Sequence, residues 1–206
     1  MPVLAARRVV VVDVETTGWN AANDAIVEIA RVTLEDGKVA EQWTTLVQPG
    51  RPVPAETVRI HGITDDMLAT APAPSEIART FRDGCGEDTI AIHNASFDLP
   101  FVNALLRRQG AAPIYNPIID TLGLARGLFG SGSNSLGDLV RRYGIDQTTV
   151  HRALPDALAT AEVLVALAPR WEAERGIGSL DELAAASQDA IRVLARRGSR
   201  PALAGV

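Results

Sequence analysis

The run Val9–Val12, followed at once by Asp13, Val14 and Glu15, constrains this chain more than any other stretch. Successive β-branched residues suit a pleated strand that is covered on both faces. Side chains alternate along a strand, so Asp13 and Glu15 fall on one face at its carboxyl end. Two like charges held together away from water are costly unless a cation neutralises them. Thr16, Thr17 and Gly18 then read as a turn, in which Gly18 can take backbone angles that other residues avoid. The stretch describes a buried strand delivering two hard oxygen ligands to a metal ion. Acidic residues also end ordinary surface strands, so the pair alone does not define a site.

The surroundings of this strand predict an α/β fold. Residues 25–34 and 38–47 are apolar-rich runs of β type joined through Glu35-Asp36-Gly37, and an Asp-Gly pair in that position signals a hairpin. With 9–14 they make a three-stranded antiparallel start. Residues 48–64, rich in Pro and Gly, predict an extended loop, with Thr64 or Asp65 capping a short helix through Leu68. Ser75 is expected to cap a helix to about residue 83. A short buried strand follows at 89–93. Next comes a helix over 96–108, with Pro100 tolerated near its first turn, and then a strand at 117–120 that ends in an acid. Further helices are expected over 121–128, 135–143, 154–168 and 180–196, with a frayed end at 198–206. A hairpin followed by alternating strands and helices argues for a mixed sheet.

Composition adds limits rather than a function. A chain of 206 residues suffices for one domain with a full core plus a short appendage. The single cysteine, Cys85, excludes an internal disulfide, and no Cys/His cluster suggests zinc. No apolar run is long enough to span a bilayer and no signal-peptide core precedes the first strand. Neither export nor a membrane partner is therefore expected, and a reducing cytoplasm is the expected location. The net charge of −5 does not exclude a nucleic-acid partner, because bound divalent ions offset a carboxylate cluster. The basic residues are almost all arginine, which follows from compositional bias as readily as from phosphate binding.

Two more acids and a histidine complete a pattern. Asp98 lies in His93-Asn94-Ala95-Ser96-Phe97-Asp98, on the first turn of the helix after the strand at 89–93. Asp156 lies on the first turn of the helix beginning at 154, and His151 lies in the loop before it. Acids at such positions also favour the helix dipole, and a lone loop histidine is usually a surface residue. Together, however, four carboxylates without matching basic partners make an all-oxygen site, which favours Mg²⁺ or Mn²⁺ over zinc. Two such ions about 4 Å apart are the usual apparatus of phosphodiester cleavage. His151 is the group whose ordinary pKa suits taking a proton from water near neutrality.

The order Asp-x-Glu, then HNASFD, then His-x-x-x-x-Asp resembles the DnaQ-like (DEDDh) 3′–5′ exonuclease superfamily over roughly residues 8–170. VRIHGIT at 58–64, IIDTLGLAR at 118–126 and NSLGDLVRRYGI at 134–145 resemble its secondary signatures. The nearest subgroup is that of the proofreading exonuclease subunit of bacterial DNA polymerase III. The resemblance implies a ribonuclease H-like fold, with a central mixed five-stranded sheet, its first three strands antiparallel, flanked by helices. It implies an exonuclease domain over residues 1–172 and a C-terminal helical extension and tail over 173–206. It also implies two divalent metal ions, Mg²⁺ or Mn²⁺. Asp13, Glu15 and Asp156 would hold one; Asp13 and Asp98 would serve the second; His151 would be the general base. Thr16, Thr17 and Gly18 would approach the terminal nucleotide, and His61, Asn94 and Phe97 would line its pocket. Arg152 is the favoured phosphate contact among Arg107, Arg108, Arg126, Arg141, Arg142 and Arg152. Pro155 departs from the pattern, where a more polar residue is expected.

The implied substrate is a single-stranded or frayed 3′ end of DNA, released as nucleoside 5′-monophosphates in proofreading or repair, with a DNA polymerase subunit as a partner. Two alternatives stand beside it. One is an RNA 3′-trimming nuclease of the same fold, since discrimination at the 2′-hydroxyl depends on pocket shape. The other is a non-catalytic binding module, against which the full set of five candidate catalytic residues argues. An extra packing helix is the first expectation for the extension.

Overall fold

The valine run forms most of β1 (Arg8–Thr16), the middle strand of a five-stranded sheet ordered β3-β2-β1-β4-β5. A computed structural model describes residues 2–147 and 149–198, with side chains to residue 190. β2 (Ile26–Glu35) pairs antiparallel with β1 and with β3 (Lys38–Leu46), whereas β4 (Thr89–Ile92) runs parallel to β1 and β5 (Ile118–Asp120) parallel to β4. The hairpin turn between β2 and β3 has Asp36 at φ 54° and Gly37 at φ 71°, the left-handed pair that a two-residue turn requires.

The helices are α1 (Ala55–His61), α2 (Asp65–Leu68), α3 (Pro74–Cys85), α4 (Ala95–Arg108), α5 (Thr121–Phe129), α6 (Leu136–Tyr143), α7 (Ala153–Arg175) and α8 (Leu180–Gly198). They explain why β1 is apolar on both faces. Val10 and Val12 pack with Phe81 of α3 and Leu106 of α4. Val9 and Val11 pack on the other side with Leu164 and Leu167 of α7. Burying a valine side chain contributes about 1.5–3 kcal/mol, so the run anchors the strand firmly. Asp13 and Glu15 continue the parity of Val9 and Val11 and so emerge on the α7 face.

Three expectations are corrected. The segment 48–64 is not wholly extended, because α1 lies inside it. Pro54 (φ −60°) starts that helix and Gly62 (φ 73°) ends it, its N–H reaching the Val58 carbonyl. The Pro and Gly that suggested a loop are the boundaries of a short helix. α3 begins at Pro74, and Glu76, not Ser75, takes up the first free donor, accepting from the Ala73 N–H at 2.8 Å. α7 does not stop at residue 168. It passes Pro169 to Arg175, held by Trp171, whose indole N–H donates to the Leu124 carbonyl at 3.2 Å. α8 follows, and its Leu183 and Ala184 are buried in the same cluster as Val9. The frayed end expected over 198–206 lies, from 199 onward, outside the described residues. Among the described residues no helix is long and apolar enough to cross a membrane.

Candidate active site

The site forms where β1 leaves the sheet. Glu15 pairs across with Glu28 of β2, and the register then slips between Glu15 and Thr16. Such a slip re-aims the backbone at a strand end. The Thr16 hydroxyl donates to the Gly18 carbonyl at 2.6 Å and tightens the turn. Gly18 is not in a left-handed conformation. It is confined instead by a close approach, since a Cβ there would lie 2.5 Å from Oδ2 of Asp24. Thr17 points away from β1's acids: its hydroxyl accepts from the Ala25 N–H at 3.0 Å.

Two helices bring the other carboxylates. Asp98, on the first turn of α4, is only 4% exposed, and its Oδ1 accepts from the Val14 N–H at 3.1 Å. That bond ties α4 directly to the strand between Asp13 and Glu15. Asp156, on the first turn of α7, accepts from the His151 N–H at 3.1 Å and from the Gln147 amide. His151 is left-handed (φ 55°), a conformation that is uncommon but enriched in His, and this turns its amide toward Asp156. Asp13, Glu15 and Asp156 each offer an oxygen within 4.8 Å of the others. Pro155 sits in the first turn of α7, where a missing N–H costs little.

The electrostatics of this cluster are strained. Burial, then the negative charges of Asp98, Asp156 and Glu15, hold the Asp13 carboxyl well above its usual range. Burial and the charges of Asp156 and Glu28 push Glu15 up to about 8. Asp98 is pushed up to about 8, again chiefly by burial, against the opposing hydrogen bond from Val14. Asp156 is raised by burial in spite of His151. Among the described residues no Lys or Arg forms a salt bridge to any of the four. Crowded oxygen donors of this kind, lacking a basic partner, fit a hard divalent cation.

The four acids open on a cavity of about 330 Å³, bordered also by His61, His151, Asn94, Phe97, Thr16 and Gly18. His61 lies in the last turn of α1 and is buried. Its Nδ1 accepts from the Ile63 N–H at 3.0 Å, leaving the proton on Nε2, and burial lowers its pKa so that it stays neutral. Asn94 is left-handed (φ 66°) and opens α4. The structure thus gathers Asp13, Glu15, Asp98, His151, Asp156, Thr16, Gly18, His61, Asn94 and Phe97 at one cavity. It does not bring Thr17 or Arg152 there. Arg152 is committed to Glu28 through two parallel bonds of 2.9 and 2.7 Å, and Glu28 also accepts from the Ala153 N–H at 3.0 Å. A buried acid leaves such a guanidinium little freedom to reach a phosphate. Of the other arginine candidates, Arg108 reaches the Ala21 and Ala22 carbonyls, Arg141 pairs with Asp138 at the surface, and Arg142 lies over the Phe129 ring.

Sequence reasoning missed Glu28, Gln147 and Trp19. Glu28 had a signal, since a charged residue inside an apolar strand run needs a buried partner. Trp19 had one too, as a large aromatic directly after the turn. It borders the cavity, 71% exposed, with its ring 5.7 Å from that of Phe97. Gln147 had none, because its role depends on a fold-dependent approach to Asp156.

Residues 10–164 match the profile of the RNase_T family, described as Exonuclease. The chain is 39% identical over 163 residues to a DNA polymerase III PolC-type protein of Bacillus cereus, covering 79% of this chain and 11% of that protein. It is 40% identical over 176 residues to the PolC-type protein of Bacillus subtilis, covering 84% of this chain and 12% of that protein. The chain therefore spans only about a tenth of the length of these relatives. Among solved structures, Exonuclease X in complex with 5′ overhanging duplex DNA is 28% identical with a TM-score of 0.69, covering 87% of this chain and 99% of that one. Escherichia coli Exonuclease I in complex with a dT13 oligonucleotide shares the fold at a TM-score of 0.73 and 20% identity, covering 82% of this chain and 43% of that one.

Proposed function

This chain belongs to the RNase_T exonuclease family, and from that membership we propose that it is a divalent-metal-dependent 3′–5′ exonuclease acting on single-stranded or frayed DNA ends. The observation that carries the reading is the convergence of Asp13, Glu15, Asp98 and Asp156 on one cavity with His151 at its edge. Asp13, Glu15 and Asp156 would hold one Mg²⁺ or Mn²⁺, and Asp13 and Asp98 would serve a second. When bound, the two ions acidify water and stabilise charge on the phosphate and the leaving oxygen.

The remaining work falls to the chain itself. The cavity, about 330 Å³, is at the small end of ligand pockets and suits one terminal nucleotide. Phe97 offers an apolar face to the sugar or base. The buried Nε2–H of His61 faces the Thr16 backbone and so braces the turn that borders the nucleotide pocket. His151 takes the proton of the attacking water. The water oxygen bonds to the terminal phosphorus as the bond to the 3′ oxygen of the preceding nucleotide breaks, and a nucleoside 5′-monophosphate departs. We assign this chemistry to residues 1–172 and treat 173–206 as an extension, of which α8 covers the core through Leu183 and Ala184. The PolC-type relatives, DNA polymerases by name, support DNA as the substrate and a polymerase subunit as the partner.

The test is degradation of matched DNA and RNA oligonucleotides labelled at either end, with Mg²⁺, Mn²⁺ or chelator. Stepwise loss from the 3′ end of DNA, abolished by chelator and by Asp13→Ala, is expected. Faster loss from RNA moves the substrate to RNA, loss from the 5′ end overturns the polarity, and tight binding without hydrolysis under either metal leaves a binding module.

A further inference from the structure

Asp120, at the end of β5, is used by none of the chemistry above, yet it is only 1% exposed. A buried carboxylate needs donors, and this one has four backbone N–H groups. Its Oδ1 accepts from Asn94 at 3.1 Å, Leu122 at 2.9 Å and Gly123 at 3.3 Å, and its Oδ2 accepts from Ala95 at 3.0 Å. Two of these donors open α4 and two open α5.

The first turn of a helix leaves its N–H groups unpaired, and the residue at the cap position ordinarily satisfies them. Asp120 does so for α5, which it immediately precedes. For α4 the cap position is Asn94, whose side chain makes no capping bond and instead accepts from the Ser96 hydroxyl at 2.9 Å. The cap of α4 is supplied across the sheet by Asp120. Three residues beyond Ala95 the same turn carries Asp98, held on its other side by the Val14 N–H. Asp120 is itself held from outside: its N–H donates to the Ser187 hydroxyl of α8 at 3.0 Å, and that hydroxyl donates to the Ala184 carbonyl at 2.7 Å.

We propose that Asp120 is a positioning residue that sets Asp98 against Asp13 and thereby sets metal affinity, with Ser187 fixing Asp120 from α8. The proposal rests on the nuclease reading of the site. It requires two acceptor oxygens at position 120, one of which serves α4 alone. Asp120→Asn removes that second acceptor and turns an amide donor toward a backbone N–H, while keeping the volume. Ser187→Ala removes the acceptor for the Asp120 N–H without enlarging any neighbour.

Calorimetric titration of the full chain with Mn²⁺, hydrolysis measured over a metal titration, and amide exchange by NMR in the metal-free protein test the proposal. Loss of a group bonded directly to a metal ligand lowers metal affinity about 10–100-fold; Asp120 acts on Asp98 one step further back, through the α4 backbone, so Asp120→Asn should lower Mn²⁺ affinity by up to about ten-fold. Its kcat should largely recover at saturating metal, and exchange at Val14 and over residues 94–98 should be faster. Ser187→Ala should move each quantity the same way by less. An Asp120→Asn protein that melts earlier but keeps wild-type Mn²⁺ affinity and wild-type exchange at Val14 makes Asp120 merely structural and overturns the proposal. Should Asp120→Asn not fold, Ser187→Ala decides by the same readouts. A wild-type chain that neither binds Mn²⁺ nor hydrolyses overturns the nuclease reading instead, and exchange at Val14 still reports whether Asp120 holds Asp98.

Discussion

Asp13 and its three neighbours owe their chemistry to burial more than to residue type. Glu15 and Asp98 are pushed up to about 8, so the folded, metal-free protein holds protons that the unfolded chain releases at its ordinary carboxylate values. A group whose folded pKa is raised contributes stability below its unfolded value and loses it as pH rises through the folded value. In chelator, the melting temperature should therefore fall as pH rises from the ordinary carboxylate range through about 8. Mg²⁺ should cancel that fall. Thermal melts over pH with and without the ion check both; a flat or rising profile in chelator contradicts the assignment. His151→Ala should reduce kcat by about 10²–10⁴-fold, the range of general-base catalysis, with little loss of Mn²⁺ affinity by calorimetry. A large loss of affinity would make His151 a ligand. Gly18→Ala drives a Cβ into the Asp24 carboxylate, which must swing aside and give up its bond from the Asn20 N–H, a loss of about 0.5–1.5 kcal/mol. Denaturant titration should show that loss, together with a raised KM, because the turn borders the cavity.

Among the elements, the hairpin and β1 were legible because local chemistry dictates them: valines for the strand and Asp36-Gly37 for the turn. The acids at strand and helix ends were legible through their ordered spacing. What escaped was set by tertiary packing. α1 has only seven residues, too few for periodicity to register, and α7 outruns its proline because Trp171 is buried against Gly127 and Leu124. Packing of that kind overrides a local breaker. Trp171→Ala should cost about 3–5 kcal/mol in a denaturant titration, well beyond the effect of an exposed helix residue. The pairing of Arg152 with Glu28, 124 residues away in sequence, was equally invisible in a linear pattern.

Across the whole molecule, the fold assembles a negative centre within a chain already of net charge −5. Any ion bound only by the folded state stabilises it by mass action. At about a hundred times its Kd, Mn²⁺ should add ~2.7 kcal/mol to the unfolding free energy. Asp13→Ala should abolish that increment, and chemical denaturation with and without Mn²⁺ measures it. An undiminished increment in the variant places the ion elsewhere.

Neither helix that carries a distal carboxylate has its cap supplied by its own leading side chain. α4 leans on Asp120 of β5 and α7 on Glu28 of β2, each from a different side of β1. The two acids they carry therefore reach register only after strands far apart in sequence have paired. Competence to take up metal is consequently a property of the completed sheet. A nascent or half-folded chain, though it already contains all four carboxylates, does not yet hold them as one site.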